Sequence, residues 1–421
     1  MNKFKFITKR DGSIVEFKEE KIQNAIYKAG KQTKEFEEKE SQILTSKVMK
    51  KIEVLTSNDI NIEIVQDLVE QVLMESAYKQ TAKAYILYRE QHAQSRKRDI
   101  FKHRLNLKPY EYPNLLEYVD SIRHSYWIHT EFNYTSDVQD FKINVNFNER
   151  EVIRKSMLAI AQIEVSVKTF WGDIFKYMPK PEIGSVGYTF AESEVRHHDA
   201  YSNLLELLGL NSEFENIREI PSIMKRINYL DRTNAIAKTQ NQRDYTFAIM
   251  LFSLFVEHVS LFSQFLIIMS FNKHKNLFKG ISNAIEATSK EEQIHGLFGI
   301  ELVNILREEH PEWFNEEMTQ RIIEECLSAY EAEEEIVDWI FESGDIDFIP
   351  KNVVKEFIKN RLNNSLTSIG EKPIFEIDQA LVEKTDWFDI EVITTKHTDF
   401  FVKRSINYNK RSKSITSDDL F

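Results

Sequence analysis

The chain has 421 residues, long enough for two or three domains and a large buried core. Its formal net charge of −12 argues against wholesale nucleic-acid binding. The single cysteine, Cys326, excludes an internal disulfide framework and any cysteine-rich zinc or iron–sulfur site, and fits a reducing, cytoplasmic setting.

Eight prolines and 11 glycines leave long amphipathic stretches uninterrupted, which predicts a mainly α-helical chain. It opens without the apolar run of a signal peptide. Phe4–Lys9 and Ser13–Phe17 flank Asp11-Gly12, a strong hairpin signal. A helix over Glu19–Ala29, closed by Gly30, follows, then two more around Ile62–Glu75 and Thr81–Gln94. From about Ala93 to Arg104 the composition turns basic, as in a linker. A central body runs from about Tyr126 to Asp389. The tail after it is poor in apolar residues, carries a run of Lys and Arg, and ends in Ser-Asp-Asp-Leu-Phe.

Four acidic elements stand out in the body. Glu164 lies in MLAIAQIEVSVKTFW and Glu257 in FAIMLFSLFVEHVSLFSQFLIIM, and each is followed by a Glu-x-x-His step, Glu194…His197 and Glu292…His295. A carboxylate and an imidazole at i and i+3 share one helix face. Two such pairs, plus one glutamate from each of two further helices, form the ligand set of a carboxylate-bridged dimetal site inside a helical bundle. Roughly one Glu-x-x-His is expected by chance, so the weight rests on context. A carboxylate amid so much apolar sequence is costly to bury unless paired, protonated or metal-bound. The alternative is a surface ion pair at each motif, with the lone glutamates capped by Arg or Lys. Four carboxylates would neutralise two divalent ions, and one imidazole per metal suits iron or manganese better than zinc. Tyr201, seven residues after Glu194, shares the ligand face. Tyr245–Phe271 is long and apolar enough to cross a membrane. Glu257 and His258 would then sit mid-bilayer, so the centre of a soluble bundle is the better reading.

The N-terminal segments ITKRDGSIVEFKEEKIQNAIYKA and IVQDLVEQVLMESAYKQTAKAYILYREQ resemble the ATP-cone, the small α+β nucleotide-sensing domain of ribonucleotide reductases and some repressors. The resemblance implies ATP and dATP as effectors. Ile7, Lys9, Arg10 and Lys21 fall on nucleotide-contacting positions, Asp11-Gly12 allows a tight turn near the phosphates, and Ile22 pairs with Ile7 about the base. Lys9, Arg10 and Lys21 are apt cations for a triphosphate.

The central body resembles the small, radical-generating subunit of class I ribonucleotide reductase, a ferritin-like helical bundle. The resemblance carries the metal ligands to Glu164, Glu194, His197, Glu257, Glu292 and His295, the radical tyrosine to Tyr201, the relay tryptophan to Trp127 and the tail relay tyrosine to Tyr408. A buried structural tyrosine and a core tryptophan are the plainer roles for Tyr201 and Trp127. The terminal peptide is similar to the one that docks this subunit on a separate large catalytic subunit. A homodimer, and a dATP-induced tetramer, are the implied assemblies, with no nucleic acid and no membrane. Two positions depart from the usual pattern. Glu164 and Glu291 stand where most members have aspartate, and glutamate at the first position occurs in members that use manganese, alone or with iron. The implied division is 1–95 cone, 96–125 linker, 126–395 dimetal bundle and 396–421 docking tail. A dimetal oxidase or monooxygenase, a metal store and a nucleotide-sensing regulator are the other readings.

Overall fold

The computed structural model describes residues 6–8, 14–54, 60–104, 107–108 and 110–394, with backbone alone for 91–97, 164–168 and 393–394. The chain divides into two compact units, Met1–Arg98 and Asp99–Phe421.

In the smaller unit, strands β1 (Phe6–Thr8) and β2 (Ile14–Glu16) pair antiparallel with Ile7 opposite Val15. The hairpin strands therefore form as expected, while the Asp11-Gly12 turn lies outside the described residues. Four helices follow: α1 (Glu19–Thr33), α2 (Glu38–Glu53), α3 (Ile62–Glu75) and α4 (Lys79–Lys97). Gly30 does not end α1. The helix runs on to Thr33 and is capped by Lys34 in the left-handed region, φ 58°. Gly30 is instead a close-approach site, because a Cβ there would overlap the Phe36 ring. Phe36 folds back on α1 and meets Tyr78 edge to face at 4.7 Å. Glu35 caps the start of α4, accepting from the Thr81 amide at 2.7 Å and its hydroxyl at 2.8 Å. Ile26, Leu44, Val48, Ile52, Val69 and Leu73 form a core separate from that of the larger unit.

In the larger unit, described residues between Ile100 and His124 pack into the bundle, where a linker is expected from the sequence. Ile100, Tyr112, Leu115, Val119 and Ile122 all join its core, the last three in or beside α5 (Leu116–His124). The basic composition that signals a linker is used locally, since Arg104 faces Glu182 at 3.5 Å. Two antiparallel helices come next, α6 (Phe147–Tyr177) and α7 (Pro181–Leu208). An Asn146–Glu149 capping box starts α6, and α7 begins on Pro181 and stops at Gly209, φ 74°. Then follow α8 (Pro221–Ala237), α9 (Gln242–Lys275), α10 (Lys279–Glu309), α11 (Glu316–Ile340) and α12 (Lys351–Ser368).

Helix α9 is the apolar one, and every residue from Tyr245 to Phe271 is buried inside the unit. Its middle, Phe252–Ser260, is π-helical. Widening a helix to i→i+5 bonding disturbs its regular ladder, and buried carbonyls there need partners. Side chains supply them: Ser365 to Leu254 O at 2.8 Å, Ser260 to Phe255 O at 3.0 Å, Arg361 to His258 O at 2.8 Å and Arg226 to Ser260 O at 3.2 Å. The segment is thus held from α8 and α12 at once.

Candidate metal centre

Among the described residues, three helices bring five of the six expected ligands together. Glu194 and His197 come from α7, Glu257 from the π segment of α9, and Glu292 and His295 from α10. All five side chains are at most 1% exposed. One ligand atom each of Glu194, Glu257, Glu292 and His295 lies within 4.8 Å of the others. Glu164 lies on α6, and its side chain is outside the described residues.

The geometry separates two kinds of carboxylate. Glu194 places Oε2 3.3 Å from His197 Nδ1 and Oε1 3.1 Å from His295 Nδ1. Glu292 does the same, with Oε1 2.9 Å from His197 Nδ1 and Oε2 3.1 Å from His295 Nδ1. Each therefore spans both imidazoles, as a bridging ligand must. Of the two imidazoles, Glu257 approaches His295, at 3.6 Å, and its other oxygen accepts from Trp171 Nε1 at 2.7 Å.

The outer imidazole nitrogens are occupied. His197 Nε2 meets Glu291 at 2.9 Å and His295 Nε2 meets Ser193 Oγ at 2.9 Å. Both Nδ1 atoms are left facing the cluster, the outer-partner arrangement of metal-bound histidine. Among the described residues, both Glu194 oxygens, Glu292 Oε1 and His197 Nδ1 are buried with no hydrogen bond of good geometry, only the close approaches within the cluster. Burying three carboxylates so close together is costly without cations. The neighbouring guanidinium of Arg196 donates instead to Glu291, Glu192 and the Trp127 carbonyl. The donor set thus fits metal binding, and Glu194, His197, Glu257, Glu292 and His295 are the described residues that would hold the ions.

The charges respond accordingly. Burial pushes Glu257 well above the usual carboxylate range, and the neighbouring Glu292 pushes it further. For Glu292 burial acts upward, but the His295 and His197 imidazoles outweigh it and its pKa falls. For both imidazoles burial acts downward, yet the surrounding carboxylates lift them well above their usual range. The metal-free cluster is thus arranged to hold protons where two cations would sit.

A second group, Asp99, Glu309 and His310, also brings ligand atoms together. There both Glu309 oxygens already accept, from the Tyr112 hydroxyl at 2.6 Å and the Ile100 amide at 2.9 Å, which ties the 100–124 segment to α10.

Most of the larger unit matches a known family. Residues 104–382 match the family of the ribonucleotide reductase small chain, and residues 5–94 match the ATP cone domain. The chain belongs to the ribonucleotide reductase small-chain family. Among curated relatives, it is 24% identical over 294 residues to the ribonucleoside-diphosphate reductase subunit beta of Chlamydia pneumoniae, covering 67% of this chain and 83% of that one. The ribonucleotide reductase R2 subunit from Clostridium botulinum superposes with a TM-score of 0.60 at 18% identity, over 66% of this chain and 88% of that one. The dimanganese(II)-NrdF of Streptococcus sanguinis superposes at 0.58 and 16%, over 68% and 100%. The expected fold stands: a mainly helical, ferritin-like small-chain bundle after a small cone.

The remaining site residues are placed as follows. Tyr201 is on α7, 1% exposed, within the bundle core. Trp127 is 5% exposed, and its indole lies nearly parallel to the His197 ring, 18° apart with centroids at 5.9 Å. Glu291, the departure from aspartate, bonds both His197 and Arg196. In the cone, Ile22 is a core residue, Ile7 packs against that core and Lys21 is exposed. Lys9, Arg10, Asp11, Gly12 and Tyr408 lie outside the described residues. Trp171 and Ser193 escaped the sequence reading. Trp171 follows Glu164 by two helical turns, a spacing that could have flagged it.

Proposed function

We propose that this chain is the radical-generating subunit of a ribonucleoside-diphosphate reductase. The observation that carries the reading is the double span of Glu194 and Glu292 across His197 and His295. Glu164, His197, Glu257 and His295 would complete the ligand set of a dinuclear centre of manganese, iron or both. When bound, the metal pair supplies an oxidising equivalent after reaction with an oxygen species. The chain's own residues do the rest. Glu291 and Ser193 fix the two imidazoles, Trp171 fixes Glu257, and the bundle core shields Tyr201, which holds or shares the equivalent. Trp127, stacked on His197, passes it outward to Tyr408 in the tail.

The reduction itself needs a thiyl radical and a reducing cysteine pair, and this chain has one cysteine, buried in the bundle. A large subunit in the cytoplasm therefore holds the substrate site, and the Ser-Asp-Asp-Leu-Phe peptide docks this chain on it as a homodimer. The cone binds ATP and dATP. ATP permits activity and dATP inhibits it by driving a further association of dimers, which requires different affinities for the two states.

Reconstitution tests the reading. Ribonucleotide reduction should appear only when the metal-loaded chain meets its large subunit. Turnover by the chain alone on another substrate would point to an oxidase instead. A variant starting at Arg98 should keep its activity and lose dATP inhibition. Persistent inhibition, with a large subunit that has no cone, would remove the regulatory part. Electron paramagnetic resonance of Tyr201→Phe separates a tyrosine-centred from a metal-centred equivalent.

A further inference from the structure

Arg196 lies inside the first ligand step, Glu194-Val195-Arg196-His197, and is 5% exposed. A buried guanidinium is costly unless its donors are used. Nε donates to Glu192 at 3.0 Å, and Nη1 donates to the Trp127 carbonyl at 3.1 Å and to Glu291 Oε2 at 3.1 Å. The Tyr126 ring covers its outer side, 4.6 Å from Cζ to the centroid. Glu291 in turn holds His197 Nε2 at 2.9 Å. The Trp127 indole stacks on that same imidazole, yet its Nε1 makes no hydrogen bond among the described residues.

The indole is therefore not tied to the metal centre by a hydrogen bond of its own. Its backbone is held by Arg196, and the carboxylate that orients His197 is held by the same nitrogen. The extra methylene of Glu291, relative to aspartate, gives one carboxylate the reach to engage both the guanidinium and the imidazole. The link is one-sided, because His295 is anchored by Ser193 and, among the described residues, no arginine bonds that serine.

We propose that Arg196 is a positioning residue that locks Trp127 against His197, so that the oxidising equivalent crosses between centre and protein surface at one fixed separation. The proposal rests on the relay role of Trp127 given above. It also makes His197, and not His295, sensitive to residue 196.

The test uses the full chain as wild type, Arg196→Gln and Arg196→Lys, each manganese-loaded and oxidised. Three quantities are read: metal per chain, the hyperfine couplings of nitrogen-15-labelled histidine ligands, and turnover with the large subunit. Support is a wild-type metal content, one histidine coupling shifted while the other stays, and turnover lowered by about 10- to 100-fold, the usual cost of losing an outer partner. Arg196→Lys should recover only part, since one ammonium cannot reproduce the planar fork. Two unchanged couplings overturn the proposal. So does loss of metal in both variants, which would make Arg196 a folding residue. If wild type gives no turnover with the large subunit, the relay reading fails by itself, and the couplings still decide whether residue 196 orients His197.

Discussion

Trp171 donates its indole N–H to Glu257 Oε1 at 2.7 Å, from a helix two turns beyond Glu164 to a glutamate in the π segment. The bond aims the other Glu257 oxygen at the cluster and leaves it 3.6 Å from His295. Trp171→Phe keeps the ring and removes the donor. Metal affinity should fall by about 10- to 100-fold, measured by competition with a chromophoric chelator. Unchanged affinity would show that the bond positions nothing.

The metal-free and metal-loaded chains should respond oppositely to alkaline pH. Burial alone would lower the His197 and His295 imidazoles, but nearby carboxylates raise both well above the ordinary value. A raised histidine contributes stability that is fully present below its unfolded pKa of about 6.5 and is lost as pH rises through the folded value. The chelator-treated chain should therefore melt at lower temperature as pH rises through that window. The loaded chain should not, because metal replaces the protons, and metal binding should tighten with pH. Melting followed by circular dichroism at several pH values, with and without chelator, decides the matter.

Gly299 lies against the π segment, where a Cβ would overlap the Ser253 side chain. Gly299→Ala should destabilise the bundle by about 1–3 kcal/mol, the usual cost of overpacking. Calorimetry should show partial recovery in the double variant Gly299→Ala with Ser253→Gly. No loss in the single variant would mean that α9 and α10 can separate without penalty.

Cys326 is fully buried, and burial pushes its thiol up to about 12. The thiolate is the reactive form. In the folded chain the thiol should resist an aromatic disulfide reagent at pH 8 and react completely in denaturant. Rapid native labelling would show that α11 opens readily.

Much of this was legible in the sequence because the ligand spacing is a helical property. Glu194 with His197, and Glu292 with His295, share faces whatever surrounds them. The long apolar run around Glu257 announced a central helix for the same reason. Helix α2 was missed because its buried face includes Ser41 and Thr45 beside Leu44 and Val48, which blurs the apolar period. Gly30 was misread because a stop and a close approach use the same residue for different reasons. The basic stretch after residue 95 read as a linker because the partner of Arg104, Glu182, is far along the chain. The pairing of Trp171 with Glu257, and of Arg196 with Glu291, depends on how helices face one another, which no local pattern encodes.

The π segment has a consequence for the chain's grammar. An i→i+5 bond spans one residue more than the α-helical i→i+4 bond, so Gln242–Leu251 and Phe262–Lys275 belong to two different rotational phases of one rod. Deleting a single residue between Leu251 and Leu261 would merge those phases into a continuous α-helix. The same deletion in the regular helix on either side would instead turn everything beyond it by about 100°, one residue's share of a helical turn. The wide turn is thus a phase marker: it sets where Glu257 sits while the half-helix after it keeps its own packing.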